Sequence, residues 1–373
     1  MAKHVLDEDF NRKKYQIWFN SIFPWNNKLK LQLYEEFKSA KNIYEMPENK
    51  LIESPFLDLE KMAQIQKYKK ITPDEIYEKL LTIDMDFTTI EEEDYPGLLQ
   101  EIPDKPYCLY YLGHLPERSM PSVGVVGARM STNYGKSIAH DIGYSLAKCG
   151  INVVSGMALG VDCASQNGAL EASGMTTAVL GSSVDICYPE KNKPLYNALK
   201  KSGCILSEYP PNTEARPAFF PLRNRIISGM SSALIVTEAR VKSGSLITAN
   251  LASSYGRDVY ALPGRITDPL SIGTNHLITE GALVLESIED LIKNLNEKFN
   301  RTKGDESIFS NEVDNTLTEK ESLIYDVIDY YATHLDDISF KTKIFDTELN
   351  ELLTNLKNKG KINEIFPDYF VRI

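Results

Sequence analysis

Short apolar segments recur at intervals of 24 to 29 residues through the middle of the chain, and this recurrence restricts the folds open to it. Each interval is long enough for a strand, a helix and two short loops. Such an alternation predicts an α/β fold, with a doubly wound, mostly parallel sheet and helices on both faces. The segments begin near Val123, Asn152, Thr176, Cys204, Ala233, Asp258 and Leu283.

The two flanks of this region have different patterns. Apolar residues at helical spacing predict a small helical domain over residues 1–85, and the polar stretch 296–315 is typical of a linker. In residues 316–373, helices are predicted at Glu319–Tyr331 and Phe345–Lys359, followed by a hairpin that turns at Pro367-Asp368. That order indicates a winged-helix-like domain. We therefore predict four regions: 1–85, 86–295, 296–315 and 316–373.

The charge of the chain is unevenly distributed. The net charge is −11, yet residues 118–285 contain 15 Lys and Arg against 11 Asp and Glu, a local net charge of +4. The charge of a local surface patch determines the attraction of a partner more than the net charge of the whole chain does. The net charge of −11 therefore does not exclude an anionic partner for this region. The start of the chain lacks the apolar core of a signal peptide, and no run of about 18 apolar residues could span a membrane. We predict a cytoplasmic protein without a membrane association.

The stretch Phe219–Gly264 brings cationic and hydroxyl side chains to the ends of predicted elements. A buried strand is predicted at Ala233–Thr237 and a helix at Leu246–Tyr255, and the loop between them carries Arg240, Lys242 and Ser243. In an open α/β sheet, ligands bind where strands end and helices begin, and free backbone N–H groups there favour an anion.

Arginine is the side chain best suited to phosphate, because its planar fork can bind two oxygens at once. Arg223 and Arg225 are therefore predicted to bind phosphate at the protein surface. The alternative is that these two arginines only form ion pairs with Glu208, Glu214 or Glu238.

Motifs for nucleotide hydrolysis are incomplete. Gly135-Lys136-Ser137 matches the end of a P-loop, but Met130 occupies the place of its first glycine. His140, His276, Asp162, Asp185 and Glu238 show no catalytic or metal-ligand spacing. The five cysteines form no C-x-x-C pair, which argues against a zinc site. We predict no catalytic residues, no metal site and no cofactor.

Six blocks between Asp94 and about Ile292 resemble, in order, those of the DprA/Smf DNA-processing family. They are GARMSTNYG, SGMALGVDCASQNGAL, VLGSSVDICYPEKN, SEYPPNTEARPAFFPLRNRIISGMSSALIVTEARVKSGSLITA, GRDVYALPG and GTNHLITEGA. The resemblance implies a Rossmann-like core that binds single-stranded DNA, forms a homodimer and loads the RecA recombinase during natural transformation, without enzymatic activity. Family members also carry an N-terminal helical domain, of SAM or helix-hairpin-helix type, and a C-terminal winged helix.

The resemblance also implies which residues contact DNA or its phosphates. They are Arg129, Phe220, Arg223, Asn224, Arg225, Lys242, Ser243, Gly244 and Ser245. For the dimer it points to His276–Leu285. A fragment spanning about Asp94–Leu295 is expected to fold and to keep most of the affinity for single strands.

Two departures from the family pattern limit the roles of the flanks. The turn FPWNN replaces the glycine-rich turn of helix-hairpin-helix domains, so we do not expect the N-terminal domain to bind DNA. The predicted recognition helix begins with Asp346, Glu348 and Glu351, which would repel phosphate. Its partner is then expected to be a protein.

A nucleoside-monophosphate phosphoribohydrolase, as in the lonely-guy family, is the alternative function. That family has a related fold and binds phosphate similarly, but its signature PGGxGTxxE contains a catalytic glutamate. Here Pro263-Gly264 is followed by Arg265-Ile266, and Gly273-Thr274 by Asn275-His276. Because the glutamate signature is absent, the sequence favours the DNA-binding function.

Overall fold

The computed structural model describes residues 2–83, 85–299, 317–330 and 332–372. Most of the predicted linker, from residue 300 onward, lies outside the described residues, and residues 296–298 belong to the preceding helix. Among the described residues, every helix is too short or too polar to cross a bilayer.

Helices occupy the N-terminal region, as predicted. They are α1 (Ala2–Ile22), α2 (Asn27–Phe37), α3 (Ala40–Glu45), α4 (Glu48–Leu51), α5 (Leu59–Lys69) and α6 (Pro73–Leu81). Several begin at a residue whose side chain accepts a backbone N–H, such as Asn26 before α2 and Asp58 before α5. These caps satisfy donors that have no partner within the helix.

The central region alternates strands and helices. Its strands are β1 (Asp86–Thr89), β2 (Cys108–Gly113), β3 (Ser122–Val126), β4 (Asn152–Ser155), β5 (Thr176–Val179), β6 (Cys204–Ser207), β7 (Ala233–Val236), β8 (Asp258–Ala261) and β9 (Leu283–Val284). Its helices are α7 (Asn133–Lys148), α8 (Val161–Glu171), α9 (Lys193–Ser202), α10 (Phe219–Met230), α11 (Gly244–Ser254), α12 (Ile272–Thr279) and α13 (Ile288–Lys298).

Within the described residues these strands form one sheet in the order β1-β2-β6-β5-β4-β3-β7-β8-β9. The seven strands from β6 to β9 pair in parallel, at the positions that the spacing predicted, which confirms the doubly wound α/β fold. The antiparallel strands β1 and β2 were not predicted. They precede Val123, where the regular alternation of strands and helices begins.

The N-terminal helices share a hydrophobic core with one end of the sheet. Trp18 and Phe19 of α1 pack in one cluster with Phe87 of β1 and Tyr110 of β2. Arg12 and Gln16 also bond to Glu92. This shared core argues against the expectation for the fragment Asp94–Leu295, because that fragment lacks β1 and Glu92 and would expose the apolar face that α1 covers.

The C-terminal region contains α14 (Glu319–Val327), β10 (Thr333–His334), α15 (Leu335–Thr342), α16 (Asp346–Asn358), β11 (Ile362–Phe366) and β12 (Tyr369–Arg372). The strands pair antiparallel in the order β10-β12-β11, around a separate core. The two predicted helices and the hairpin are present, although α14 ends before Tyr331, which lies outside the described residues. The winged-helix assignment and the domain boundaries stay predictions.

Candidate nucleic-acid interface

A cleft lies at the carboxyl edge of the sheet, where the strand order reverses. β3 is central, with β4, β5 and β6 on one side and β7, β8 and β9 on the other, so the loops after β3 and β7 diverge and leave a crevice. We call this crevice, of about 540 Å³, the switch-point cleft. Its wall is formed by Val126–Arg129 at the end of β3, Ala158 and Asp162 after β4, Tyr188 after β5, Pro217, Phe220, Pro221, Arg223, Asn224 and Ile227 at α10, and Ser243–Ser245 and Thr248 at α11.

Glycines allow the loops below the cleft to approach each other closely. A Cβ on Gly127 would lie 2.6 Å from Cγ2 of Val161, and one on Gly160 would lie 2.3 Å from the carbonyl oxygen of Ala128. Gly160 also has a φ of 81°, which side chains disfavour. These positions bring the turn after β3 against the start of α8 and leave Arg129 exposed at the cleft.

The first turn of α11 presents backbone donors to the cleft. Ser243 precedes the helix but makes no side-chain cap; its hydroxyl instead lies 2.8 Å from that of Ser245. Gly244 leaves open space where a Cβ would be. The first N–H groups of a helix have no partner within it, and together with the helix dipole they favour an anion.

Exposed cations and aromatic rings surround these donors. The guanidinium of Arg129 lies 5.1 Å from the ring centroid of Phe220, and the ring centroid of Tyr188 lies 5.5 Å from that of Phe220. Lys242 is exposed in the loop before α11. The cleft thus combines cations for phosphates with rings on which bases can stack. Tyr188 was missed by the sequence analysis, although it follows β5, whose carboxyl end lies at this edge.

Arg223 is not a surface cation, so the prediction of a solvent-facing position was wrong. Only 5% of Arg223 is exposed, and its Nη1 donates to the carbonyl oxygens of Gly156 (2.9 Å) and Val179. Burial lowers the pKa of Arg223 to about 10, and the buried carboxylate of Asp162 partly offsets this effect. Arg223 therefore links the ends of β4 and β5 under the cleft.

Arg225 is also buried, and it faces away from the switch-point cleft. The helix turns by about 100° per residue, so positions two apart point to nearly opposite sides. Arg225 Nη2 donates to Glu208 at 2.6 Å, and Nε lies 3.4 Å from Asp104. This ion pair with Glu208 is one of the pairings that the sequence offered as an alternative to phosphate binding. Asn224 lies between the two arginines and donates to the carbonyl oxygen of Gly244 at 3.3 Å.

Glu238 occupies the place that a phosphate would take at the start of α7. Its carboxylate accepts the backbone N–H of Thr132 at 2.9 Å and the Thr132 hydroxyl at 2.5 Å. A Cβ on Gly135 would lie 2.4 Å from Cδ of this carboxylate. The segment that partly matches a P-loop is thus the start of a helix whose N-terminus is occupied by a protein carboxylate. Among the described residues, Glu238 forms no hydrogen bond with Arg223 or Arg225.

The other titratable residues considered as catalysts have structural partners. His140 bonds to Asp141 and Glu171, which raises its pKa. Asp162 accepts the backbone N–H of Gly156 at 3.1 Å, and Asp185 accepts that of Asn212. In the described part of the chain, no three His, Cys, Asp or Glu side chains are placed to hold a metal ion.

The fold and the cleft define a doubly wound α/β protein with cations and helix starts gathered at its switch point. A family model described as DNA recombination-mediator protein A matches residues 86–296. The chain belongs to this family, the DprA/Smf family.

Individual relatives agree with this membership. The chain is 42% identical over 213 residues to protein Smf of Synechocystis, covering 56% of this chain and 54% of that protein. It is 41% identical over 204 residues to DNA processing protein DprA of Streptococcus pneumoniae, covering 55% of this chain and 72% of the other. The chain thus spans about half the length of the Synechocystis relative.

Solved structures match the same region. DprA from Streptococcus pneumoniae superposes with a TM-score of 0.67 and 33% identity, covering 75% of this chain and 97% of that chain. DNA processing protein A from Helicobacter pylori, studied for its single-stranded DNA binding mode, gives a TM-score of 0.52 and 31% identity, covering 57% and 97%.

Proposed function

We propose that this protein binds single-stranded DNA in the switch-point cleft and acts as a recombination mediator. The observation that supports this most is the contact of exposed Arg129 with the ring of Phe220, in a cleft that also contains the uncapped start of α11, which exposed Lys242 precedes. In this proposal Arg129, Lys242 and the Ser243–Ser245 turn bind phosphates. Phe220 stacks with a base, and Asn224 orients the start of α11.

The chemistry of the cleft favours a single strand over a duplex. A base must leave its stack to lie on Phe220 or Tyr188, which an unpaired strand allows at little cost. Contacts to phosphates and to ring faces carry no base-edge information, so binding is expected to be nearly independent of sequence. Arg223 and Arg225 contribute to this site by holding α10 in place.

Fluorescence anisotropy with labelled oligonucleotides tests this proposal. Full-length protein should bind a single strand at least tenfold more tightly than the same sequence as a duplex, because one lost stacking contact costs about 1–3 kcal/mol. Two unrelated single-stranded sequences serve as the control and should bind alike. Equal or tighter binding of the duplex would contradict the proposal.

The partners are proposals that rest on the family resemblance. We infer that the protein protects incoming DNA and loads RecA during natural transformation, in the cytoplasm. Supporting evidence would be faster RecA assembly on a single strand in its presence, and an unchanged rate would oppose it. We propose no enzymatic role for the cleft: of the five residues considered as catalysts it is lined by Asp162 alone, whose carboxylate accepts the backbone N–H of Gly156.

We also propose a homodimer through the β9 edge of the sheet. Leu283 and Val284 of β9 are 47% and 42% exposed, and an edge strand with free backbone groups and apolar side chains readily pairs with another chain. Leu277 and Leu285 are buried within the protein and cannot contribute. Light scattering at tens of micromolar should give twice the monomer mass, reduced to the monomer by Val284→Glu. A monomeric wild-type protein would contradict this.

A further inference from the structure

A second cavity lies on the opposite side of α10 from the switch-point cleft. We call it the aromatic cavity; its volume is about 710 Å³, within the range of small-molecule sites. It lies between the turn before α2, which contributes Trp25, and the start of α10, which contributes Phe219, Leu222 and Arg225. Of the residues that line this cavity, Arg225 alone was predicted from the sequence to contact DNA.

Three aromatic rings cluster at this cavity, with centroids 6.0 Å or less apart for every pair. The ring centroids of Phe219 and Tyr209 are 4.3 Å apart, and those of Trp25 and Phe219 are 5.9 Å apart with planes inclined by only 14°. Trp25 is 61% exposed, which is unusual for so large an apolar side chain. The exposed ring of Trp25, held nearly parallel to Phe219, presents a flat face on which another flat group can stack.

The polar groups of the aromatic cavity suit a neutral base better than a phosphate. Its basic residues (Lys28, Lys30 and Arg225) are equal in number to its acidic ones (Glu35, Asp104 and Glu208). Arg225 is 8% exposed, and its Nη1 has no hydrogen-bond partner among the described residues. A buried donor without a partner costs about 1–3 kcal/mol, which a ligand with an acceptor edge would recover. A nucleobase has both an acceptor edge and a stacking face.

The aromatic cavity and the switch-point cleft are both lined by residues from the start of α10. Phe219 and Phe220 are neighbours in sequence; Phe220 lines the cleft and Phe219 lines the cavity. Arg216 is exposed just before them, and its guanidinium lies 5.8 Å from the ring of Phe219. A cation is thus available for a phosphate between the two places.

We propose that the aromatic cavity takes a base from the same single strand that occupies the switch-point cleft, stacked on Trp25. This inference rests on the proposed function, since the strand must first be bound in the cleft. The turn Pro24-Trp25-Asn26-Asn27 thereby gives the N-terminal region a DNA contact of a kind other than a helix-hairpin-helix. The strand passes Arg216, and its next base enters between Trp25 and Arg225.

Tryptophan emission of the full-length protein tests this directly, because the chain has two tryptophans and Trp18 is fully buried. A long oligothymidylate should quench the emission, and Trp25→Phe should abolish the quenching while keeping most of the affinity. Trp25→Ala should weaken binding of the long strand about tenfold, as expected for one stacked base. For a shorter oligothymidylate, just long enough to fill the cleft, Trp25→Ala should change the affinity by less than twofold. Leu59→Ala, an exposed apolar residue elsewhere in the helical region, is the control and should change neither.

The outcomes separate this inference from the proposed function. Anisotropy that shows binding of single strands without any change in Trp25 emission would overturn the inference and leave the proposed function standing. Equal losses for short and long strands in Trp25→Ala would also overturn it. Emission that changes on dilution without DNA would assign the cavity to a second copy of the chain. Absence of all single-strand binding would overturn both.

Discussion

Replacing Arg223 with methionine should lower the free energy of unfolding by about 3–5 kcal/mol, the usual cost of removing one partner from a buried charged arrangement. The change would leave the carbonyl oxygens of Gly156 and Val179 without their donor. It would also leave the buried carboxylate of Asp162 without the nearby cation that stabilises its charge. Urea denaturation followed by circular dichroism measures the effect.

Lys242→Met is the matched control for that experiment. Lys242 is exposed, so the same substitution should change the stability by less than about 0.5 kcal/mol. If Arg223→Met instead kept wild-type stability and only weakened DNA binding, Arg223 would be a surface clamp and the assignment of a structural role would be wrong.

Reversing the charge of Arg129 in the cleft and of Lys242 at the start of α11 should have the largest effect on binding. Arg129→Glu combined with Lys242→Glu should weaken single-strand binding at least about hundredfold, because each lost charged hydrogen bond is worth about 1.5–3 kcal/mol. Both side chains are exposed, so the thermal melting temperature should stay near that of the wild type. Anisotropy and a thermal melt on the same samples measure the two effects.

The control for the cleft variant makes the same change of net charge elsewhere. Lys200 and Lys201 are exposed in the last turn of α9, which leads into the amino end of β6, at the opposite edge of the sheet from the cleft. Lys200→Glu with Lys201→Glu should weaken binding only slightly, since charges farther away than about 10 Å are largely screened at 0.1 M salt. An equal loss in both variants would indicate a general charge effect without a defined site.

The parallel strands could be predicted because each is a short apolar run at a regular interval. Strands β1 and β2 could not, since their place in the sheet depends on antiparallel pairing of β2 with β6, which lies about 95 residues further along the chain. In the cleft, Arg129, Phe220 and the turn Ser243–Ser245 lie together at the carboxyl ends of the strands, and exposed Lys242 directly precedes that turn. Their contacts with DNA stay a proposal.

The different environments of Arg223 and Arg225 could not be predicted from the motif. The sequence suggested a pair of neighbouring phosphate ligands, whereas helix α10 already begins at Phe219 and separates them onto nearly opposite sides. The carbonyl oxygens that accept from Arg223 belong to Gly156 and Val179, far away in sequence. For the same reason, the hydrogen bond between Glu238 and Thr132, which are 106 residues apart, could not be predicted from the residues next to either of them in the sequence.

The salt dependence of single-strand binding tests the central claim most directly. For wild-type protein and for Arg129→Ala with Lys242→Ala, log K is measured by anisotropy against log salt concentration. If both cations bind phosphates in the cleft, the slope of the variant should be less steep by about 0.7 for each lost contact. A variant with the wild-type slope would contradict the account, because it would show that neither cation contacts the DNA backbone.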